Sequence, residues 1–449
     1  MSEMKKEHLP LTGELIDICL PPRFEDYPAT AIEVAKQCLI DWMAVTIAGA
    51  REPLVQLLVE ELAGQSDAGS CAVPGRLERL GLIDASLVVG SAAHALDYDD
   101  GNSAGGHITA PTASAVMPLA QHLKANGKDV IAAFIAGYEF ASRCALAVMP
   151  DHYSRGFHST ATVGTLGAAF GSAHLLGLNR GQTMLALGIA ATQAAGLLAS
   201  FGTMCKPLHV GRAASNGLLA SRLAARGFIG RDGILEHERG FAAAHGADFF
   251  SDRALRIPDS GFHVLNNIFK FHAACALTHA SMEALKKLRG LGVTAEEVKK
   301  VLLCVNPFLD KACNIAEPKT GLEAKFSLKM TAAMVLGGVD TADPGVFSDA
   351  TISDAELIRL RDIVDIQFEE SRKLQKPEII VTLKNGSIMT VEFESGIPER
   401  NLRIQAEKVS SKFLSLVTPR LGEVRSVRLL ADLCALESID NVGHLMTAA

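Results

Sequence analysis

Apolar residues recur every three to four positions along most of the chain between Tyr27 and Leu255, and Gly or Pro stands near the ends of each run. That spacing places apolar side chains on one face of a helix. It predicts helices over Ala29–Ala48, Ala113–Ala125, Val130–Val148 and Ala213–Arg226. The first part of the chain is therefore predicted to be all-helical.

The pattern changes after about Ile257, where Pro258 to Gly261 predict a loop. One more helical stretch follows, and strand signals then appear on both sides of Asn385 and Gly386, a step that favours a hairpin. The predicted helix is Cys275–Leu288, and the predicted strands are Val298–Val305, Glu378–Leu383 and Ile388–Phe393. Helical spacing returns from Leu402 onward.

These patterns predict a mainly α protein with two domains. The larger, all-helical domain is formed by residues 1–264 together with 402–449, and residues 265–401 form a smaller α+β lid domain. A chain of 449 residues is long enough for this division, since one domain takes roughly 150 residues.

Composition supports close-packed helices, because 48% of the residues are apolar but only 5% are aromatic. The stretches 161–178 and 183–204 come nearest to membrane segments, yet His174 and Gln193 interrupt them, so we expect buried helices and no membrane association. The N-terminus mixes Lys5, Lys6 and Glu7 with short apolar runs and has no signal-peptide pattern. A cytoplasmic protein is expected.

The nine cysteines lie far apart without a Cys-x-x-Cys pair, which favours reduced thiols over a disulfide or zinc framework. The net charge is −7 and no run of Lys and Arg exceeds two residues, which argues against nucleic acid as a partner. An anionic small-molecule substrate is still compatible with this charge, because a pocket needs only a few local cations.

The first candidate for chemistry is a run of three carboxylates, Asp97, Asp99 and Asp100, followed by His107. Grouped carboxylates repel one another, so a site that needs an acid, a base or an orienting group explains them better than a helix cap does. These residues are also possible Mg²⁺ ligands. Because no other metal-binding motif supports that alternative, we predict no metal.

The second candidate is His158, at the start of an Ala- and Gly-rich helix. The positive end of the helix dipole lowers the pKa of such a histidine and favours the neutral form, which accepts protons. A histidine that simply caps the helix is the equally weighted alternative.

The third candidate is the segment Phe201–Arg212, predicted as a loop between two apolar helices, with Lys206, His209 and Arg212. An ammonium group near a buried core needs a carboxylate partner. Weaker candidates are Lys270 and His272, with His279 and Lys325 behind them, because polar side chains in apolar helical contexts are often ordinary helix termini.

Together these segments resemble the MmgE/PrpD family, which includes 2-methylcitrate dehydratases, cis-aconitate decarboxylases and iminodisuccinate epimerases. The chain departs from the family pattern at Gly101, where a hydroxyl residue is usual, and in the residues after His107. The matching pieces are HALDYDD at 94–100, GFHST at 156–160, GIAATQAAG at 188–196, GTMCKPLH at 202–209, GFIG at 227–230 and EAKFS at 323–327.

The resemblance implies a helical domain with a smaller α+β lid, a homodimer, and an active site in the cleft between domains without metal or organic cofactor. It also implies that Asp97, His107, His158 and Lys206 line the catalytic pocket. We assign His209, Arg212, Lys270 and His272 to substrate binding.

The family chemistries all move a proton at a carbon next to a carboxylate, which requires a positioned base and fixed cations. The expected function is a cofactor-free lyase or dehydratase acting on a citrate-, methylcitrate- or aconitate-like acid. Decarboxylation of a cis-aconitate-like acid, epimerisation or isomerisation of an iminodisuccinate-like acid, and an inactive binding homologue are the alternatives. Either His158 or Lys206 is expected to move the proton, with Asp97 orienting its partner.

Overall fold

The computed structural model describes residues 11–20, 23–63, 69–102, 104–246 and 249–447. Lys5, Lys6 and Glu7, on which the expectation of a cytoplasmic protein partly rests, lie outside these residues. Helices make up 59% of the described residues and strands 9%, which confirms the mainly α fold class.

The described residues form twenty-one α-helices and eight strands. The helices are α1 Leu11–Cys19, α2 Ala29–Gly49, α3 Pro53–Ala63, α4 Leu82–Ala95, α5 Thr109–Leu123, α6 Gly127–Val148, α7 Asp151–Ser154, α8 Ser159–Leu175, α9 Arg180–Ala191, α10 Cys205–Ala225, α11 Phe241–His245, α12 Ser251–Leu255, α13 Ala276–Gly290, α14 Phe308–Cys313, α15 Gly321–Ala324, α16 Leu328–Leu336, α17 Asp349–Ile352, α18 Ala355–Asp362, α19 Leu402–Leu421, α20 Glu423–Cys434 and α21 Gly443–Met446. The strands are β1 Cys71–Ala72, β2 Arg79–Leu80, β3 Gly101–Asn102, β4 Asn267–Ile268, β5 Val298–Val305, β6 Val364–Phe368, β7 Glu378–Leu383 and β8 Ile388–Glu392.

Small residues let the central helices α4, α5, α6, α8 and α10 approach one another closely. A Cβ atom placed on Gly90 of α4 would lie 2.8 Å from the Cα atom of Gly211 in α10. A Cβ atom on Gly137 of α6 would lie 2.6 Å from the carbonyl oxygen of Gly167 in α8. The high Ala and Gly content of the chain therefore reflects contacts between helix backbones.

Among the described helices, α6 is long and apolar enough to cross a membrane. The rest of the fold buries 94% of its most apolar stretch, as expected for a core helix. Apolar stretches 161–178 and 183–204 correspond to α8 and to α9 with the turns that follow it.

The four-stranded sheet has the order β6-β5-β7-β8, in which β5 and β6 are parallel and the other pairs antiparallel. The three predicted strands are present as β5, β7 and β8. The edge strand β6 was not predicted, although Val364, Ile366 and Phe368 alternate with polar residues, because the run is only five residues long and most of it is at least partly exposed. Helices α13 and α16 pack against this sheet.

Two features connect the distant parts of the chain. The last long helix, α19, packs against α2, where Gln405 Nε2 donates to Gln37 Oε1 over 2.8 Å. Strand β3, directly after the acidic run, pairs with β4. Residues 1–264 thus contain the short ladder β1–β2 and strand β3, whose partner β4 lies beyond residue 264. The domain boundaries at 264 and 402 stay a prediction.

Candidate active site

The acidic run forms a buried turn directly after helix α4. Asp97, Asp99 and Asp100 are at most 3% exposed. Asp97 has a φ of 50°, in the left-handed region that Asp tolerates better than most residues. The carboxylates therefore point into the protein, where each needs its own partner.

Three lysines from separate segments converge on this turn. Lys206 Nζ donates to Oδ1 of Asp97 over 2.7 Å, and Lys270 Nζ donates to the Asp97 carbonyl over 2.7 Å and lies 3.3 Å from Oδ1. Lys325 Nζ donates to the carbonyl of Leu96 over 2.6 Å. The turn is thus surrounded by buried ammonium groups.

Burial and charge act in opposite directions on these groups. Burial raises the pKa of Asp97, but the ammonium groups of Lys206 and Lys270 outweigh it and hold this pKa well below its usual range. Burial lowers the pKa of Lys325 to about 8. At neutral pH, Asp97 is ionised and Lys325 is mostly protonated.

Asp99 connects two histidines on the same side of the turn. Nδ1 of His94 lies 2.8 Å from Oδ1 of Asp99, and Nδ1 of His107 lies 3.1 Å from Oδ2. Nε2 of His94 lies 2.6 Å from Lys206 Nζ and accepts a hydrogen bond from it. Asp99 therefore fixes the proton of His94 on Nδ1.

His94 is neutral in this arrangement. Burial lowers its pKa to about 4, and the positive charge of Lys206 adds to that effect, although the Asp99 carboxylate opposes it. A chain of polar contacts therefore runs from Asp99 through His94 and Lys206 to Asp97.

His158 lies at the N-cap of α8, at the predicted start of the Ala- and Gly-rich helix. Its Nδ1 is 3.3 Å from Nδ1 of His209, and its ring centroid is 5.9 Å from that of His94. Burial, followed by the charge of Lys206, holds the pKa of His158 well below its usual range. His158 is therefore neutral, as expected from the sequence, with burial as the largest cause.

A cleft of about 860 Å³ opens beside this cluster. His107, Lys270 and His272 line it, and the segment 393–400 and α19 form other parts of its wall. Nδ1 of His272 lies 2.7 Å from Thr341 Oγ1, and Nε2 lies 2.7 Å from Glu283 Oε1. Oδ1 of Asp97 lies 3.8 Å from Nε2 of His107 and 3.3 Å from Nζ of Lys270. Asp97 adjoins the cleft through these two residues.

The predicted loop over Phe201–Arg212 is wrong for its second half, because α10 begins at Cys205. Pro207 falls in the first helical turn, where a missing backbone N–H costs nothing. The helix carries Lys206 and His209 toward the cluster. Arg212 is exposed one turn beyond His209, and no contact given for the described residues joins its side chain to the cluster.

The sequence did not lead to His94, named Asp99 only within the candidate run of carboxylates, and gave Lys325 only as a weaker candidate, although all three lie within the matching motifs. His94 lies in the last turn of a mostly apolar helix, five residues before Asp99. An ionisable side chain in such a helix is unusual, and this feature of the sequence could have identified His94 as a site residue. Lys325 had been ranked below Lys270 because nothing in the sequence indicates that its side chain reaches the Leu96 carbonyl.

Four residues of the cluster offer donor atoms that a metal ion could use. One donor each from His94, Asp97, Asp99 and His107 lie within 4.8 Å of one another. Lys206 Nζ already contacts two of these residues, and Lys270 lies beside it, so the position for a cation is taken by ammonium groups. The absence of a metal stays a prediction.

The comparisons with known proteins agree with the motifs. The family model described as MmgE/PrpD N-terminal domain matches residues 14–251, and that described as MmgE/PrpD C-terminal domain matches residues 272–435. These matches confirm the resemblance.

Cis-aconitate decarboxylase of Aspergillus terreus is 32% identical over 281 residues, which cover 59% of this chain and 57% of that enzyme. Cis-aconitate decarboxylase of Homo sapiens is 26% identical over 436 residues, which cover 93% of this chain and 89% of that enzyme. The aligned region therefore spans less than two thirds of the fungal enzyme but most of the human one. With both family domains matched in order, this chain belongs to the MmgE/PrpD family.

Proposed function

We propose that this protein is a cofactor-independent lyase that acts on a small di- or tricarboxylic acid by proton transfer at a carbon next to a carboxylate. The observation that carries the proposal is the buried charge around the turn. Lys206 and Lys270 contact the carboxylate of Asp97, and Lys325 donates to the carbonyl of Leu96. The carboxylates of Asp97 and Asp99 thus face three ammonium groups, while His94 is neutral. This surplus of buried positive charge favours an anionic ligand.

Decarboxylation of a cis-aconitate-like acid is the reaction we favour, because the relatives at 32% and 26% identity are cis-aconitate decarboxylases. In such an acid the C–C bond to one carboxylate breaks and CO₂ leaves. The electron pair of the broken bond forms a new C=C double bond. The electrons of the original C=C double bond move to the carbon next to another carboxylate. That carbon then takes a proton, and fixed cations stabilise the charge that develops beside it.

His107 is a further candidate for the proton donor, beside Lys206 and His158. His107 lines the cleft, and Asp99 lies against its Nδ1, so its Nε2 is the nitrogen available to a substrate. A carboxylate that orients a histidine in this way supports general acid–base catalysis. Lys206 and Lys270 are placed to hold the substrate carboxylates.

Dehydration of a citrate-like acid and epimerisation of an iminodisuccinate-like acid use the same proton transfer, and a binding protein without turnover is the alternative from another class. One experiment separates them. The purified protein is incubated in D₂O with cis-aconitate, citrate, 2-methylcitrate and iminodisuccinate, and the proton spectra and released CO₂ are followed.

We expect CO₂ release from cis-aconitate and one deuterium on the carbon that is protonated. Alkene formation without CO₂ would instead support a dehydratase, and deuterium exchange without a change in composition would support an epimerase. Saturable binding without turnover of any acid would contradict the lyase proposal. A Lys206→Met preparation made in parallel controls for contaminating enzymes, because we expect it to lose most of the activity.

A further inference from the structure

A fourth buried lysine contacts the acidic turn. Lys412 of α19 donates from Nζ to the carbonyl of Tyr98 over 2.7 Å. The same atom lies 2.7 Å from Oδ1 of Asp41 in α2 and 4.0 Å from the centroid of the Tyr98 ring. Tyr98 stands between Asp97 and Asp99, so Lys412 contacts the segment that carries both site carboxylates.

The end of the turn is fixed to the same group of residues. The backbone N–H of Asp100 donates to Oδ2 of Asp41 over 3.2 Å. Oδ2 of Asp100 accepts hydrogen bonds from Thr109 Oγ1 and Asn267 Nδ2, each over 2.8 Å. Burial, followed by the charge of Asp41, raises the pKa of Asp100 to about 8, so Asp100 is mostly neutral at pH 7. Lys412 and Asp41 therefore balance each other's charge.

The turn needs such support. Asp97 has left-handed backbone geometry, which few residues other than Gly, Asn and Asp adopt. The two lysines that hold its carboxylate also attract the ligand we propose, so the turn cannot rely on them alone while substrate binds. Lys412 and Asp41 instead bond to backbone groups of Tyr98 and Asp100, so these contacts do not compete with a ligand of Lys206 and Lys270.

We propose that Lys412 is a positioning residue, through which helix α19 sets the placement of Asp97 and Asp99 in the active site. The kinetic part of this proposal rests on the proposed function. Its structural part does not, because the placement of the turn can be measured without substrate.

The test variant is Lys412→Met combined with Asp41→Asn, which removes both charges and leaves no unpaired buried ion. The matched control is Lys36→Met. Lys36 of α2 also links α2 to the C-terminal part of the chain, since its Nζ donates to the carbonyl of Cys434 over 3.0 Å and to Glu437 over 3.1 Å. No contact given for Lys36 reaches the turn.

Two measurements are made on each variant: steady-state kinetics with cis-aconitate, and hydrogen exchange of the amides of residues 97–102 followed by mass spectrometry. For the double variant we expect kcat to fall at least tenfold with KM changed less than threefold, and the turn amides to exchange at least tenfold faster. The Lys36→Met control should lower the melting temperature but leave kcat within twofold and turn exchange unchanged.

A folded double variant with wild-type kcat and wild-type exchange in the turn would overturn the proposal. If fluorescence of Trp42, the single tryptophan of the chain, shows that the double variant is unfolded, Lys412→Arg takes its place with the same criteria. If the wild-type protein does not turn over cis-aconitate, the proposed function fails, and the exchange measurement still decides the role of Lys412.

Discussion

Lys206 and Lys270 share one carboxylate, because their Nζ atoms lie 2.7 Å and 3.3 Å from Oδ1 of Asp97. Because two lysines share this carboxylate, loss of one lysine and loss of Asp97 should affect catalysis and stability differently. Loss of either lysine leaves Asp97 with one ammonium partner, whereas loss of Asp97 leaves two buried ammonium groups without their carboxylate. Stability should therefore depend more on the aspartate than on either lysine.

Lys206→Met should lower kcat/KM by about 10²-fold or more, because an ammonium group that stabilises developing negative charge contributes mainly to the transition state. The melting temperature should change little, since Lys270 still pairs with Asp97. Kinetics and thermal melts on the same preparation test this. A large loss of stability with near-wild-type turnover would show that Lys206 has a purely structural role.

Asp97→Asn should show the complementary result and destabilise the fold by about 3–5 kcal/mol, the usual cost of breaking a buried ion pair. Chemical denaturation measures this free energy of unfolding. Asp259→Asn, at a side chain that is 96% exposed, is the matched control and should leave stability unchanged. An equal effect of both substitutions would contradict the buried charge network.

Asp99→Asn should lower kcat by about 10²-fold or more while leaving substrate binding largely intact. The amide has a single oxygen, so it cannot both accept from Nδ1 of His94 and place an oxygen against Nδ1 of His107, and at least one ring loses its fixed orientation. Steady-state kinetics measure kcat, and calorimetric titration with the saturated acid propane-1,2,3-tricarboxylate measures binding. An unchanged kcat would exclude Asp99 as the residue that orients the histidines.

Much of this fold follows from local pattern. Strands β5 and β7 were predictable because their buried residues are apolar and β-branched, and helices α2 and α6 because their apolar residues recur at helical spacing. Strand β6 was missed although Val364, Ile366 and Phe368 form an apolar face, because an alternating run of only five residues directly after a helix is a short signal. Helix α10 was predicted to start too late because Pro207 resembles a helix breaker, although its position in the first turn is harmless.

The sequence predicted several residues of the site, but it did not predict how they are arranged in space. The carboxylates, His158 and Lys206 stand out because ionisable groups in apolar surroundings are unusual. Convergence of Lys270 and Lys325 on the Asp97 turn depends on the pairing of β3 with β4 and on how α15 is placed, which are contacts between segments far apart in sequence. No local pattern encodes such contacts, so the sequence assigned Arg212 to substrate binding although its side chain is exposed one turn beyond His209.

The protonation of Asp100 gives a pH-dependent stability difference. Its folded pKa of about 8 lies above the ordinary value of 3.8, so its contribution to stability is complete below about pH 4 and is lost as the pH rises to about 8. Asp41, Asp99 and Lys412 surround it. The amide side chain of the Asp100→Asn variant has no proton to lose in this pH range. The melting temperature of the variant should therefore rise relative to that of wild type between pH 5 and 9. A difference that stays constant or shrinks with rising pH would contradict this assignment.

The last prediction concerns metal. Because Lys206 Nζ lies against Nε2 of His94 and Oδ1 of Asp97, the ammonium group takes the place that a divalent ion would need. Activity of the wild-type protein should therefore survive exhaustive dialysis against EDTA. Lys206→Ala removes the competing charge and leaves His94, Asp97 and His107 as possible ligands, so this variant should bind Co²⁺ and develop visible absorption that wild type lacks. Lys325→Ala, which removes a lysine bonded only to a backbone carbonyl, is the control and should not gain this absorption. Loss of wild-type activity in EDTA, restored by one divalent ion, would instead show that the cluster of His94, Asp97, Asp99 and His107 is a catalytic metal site.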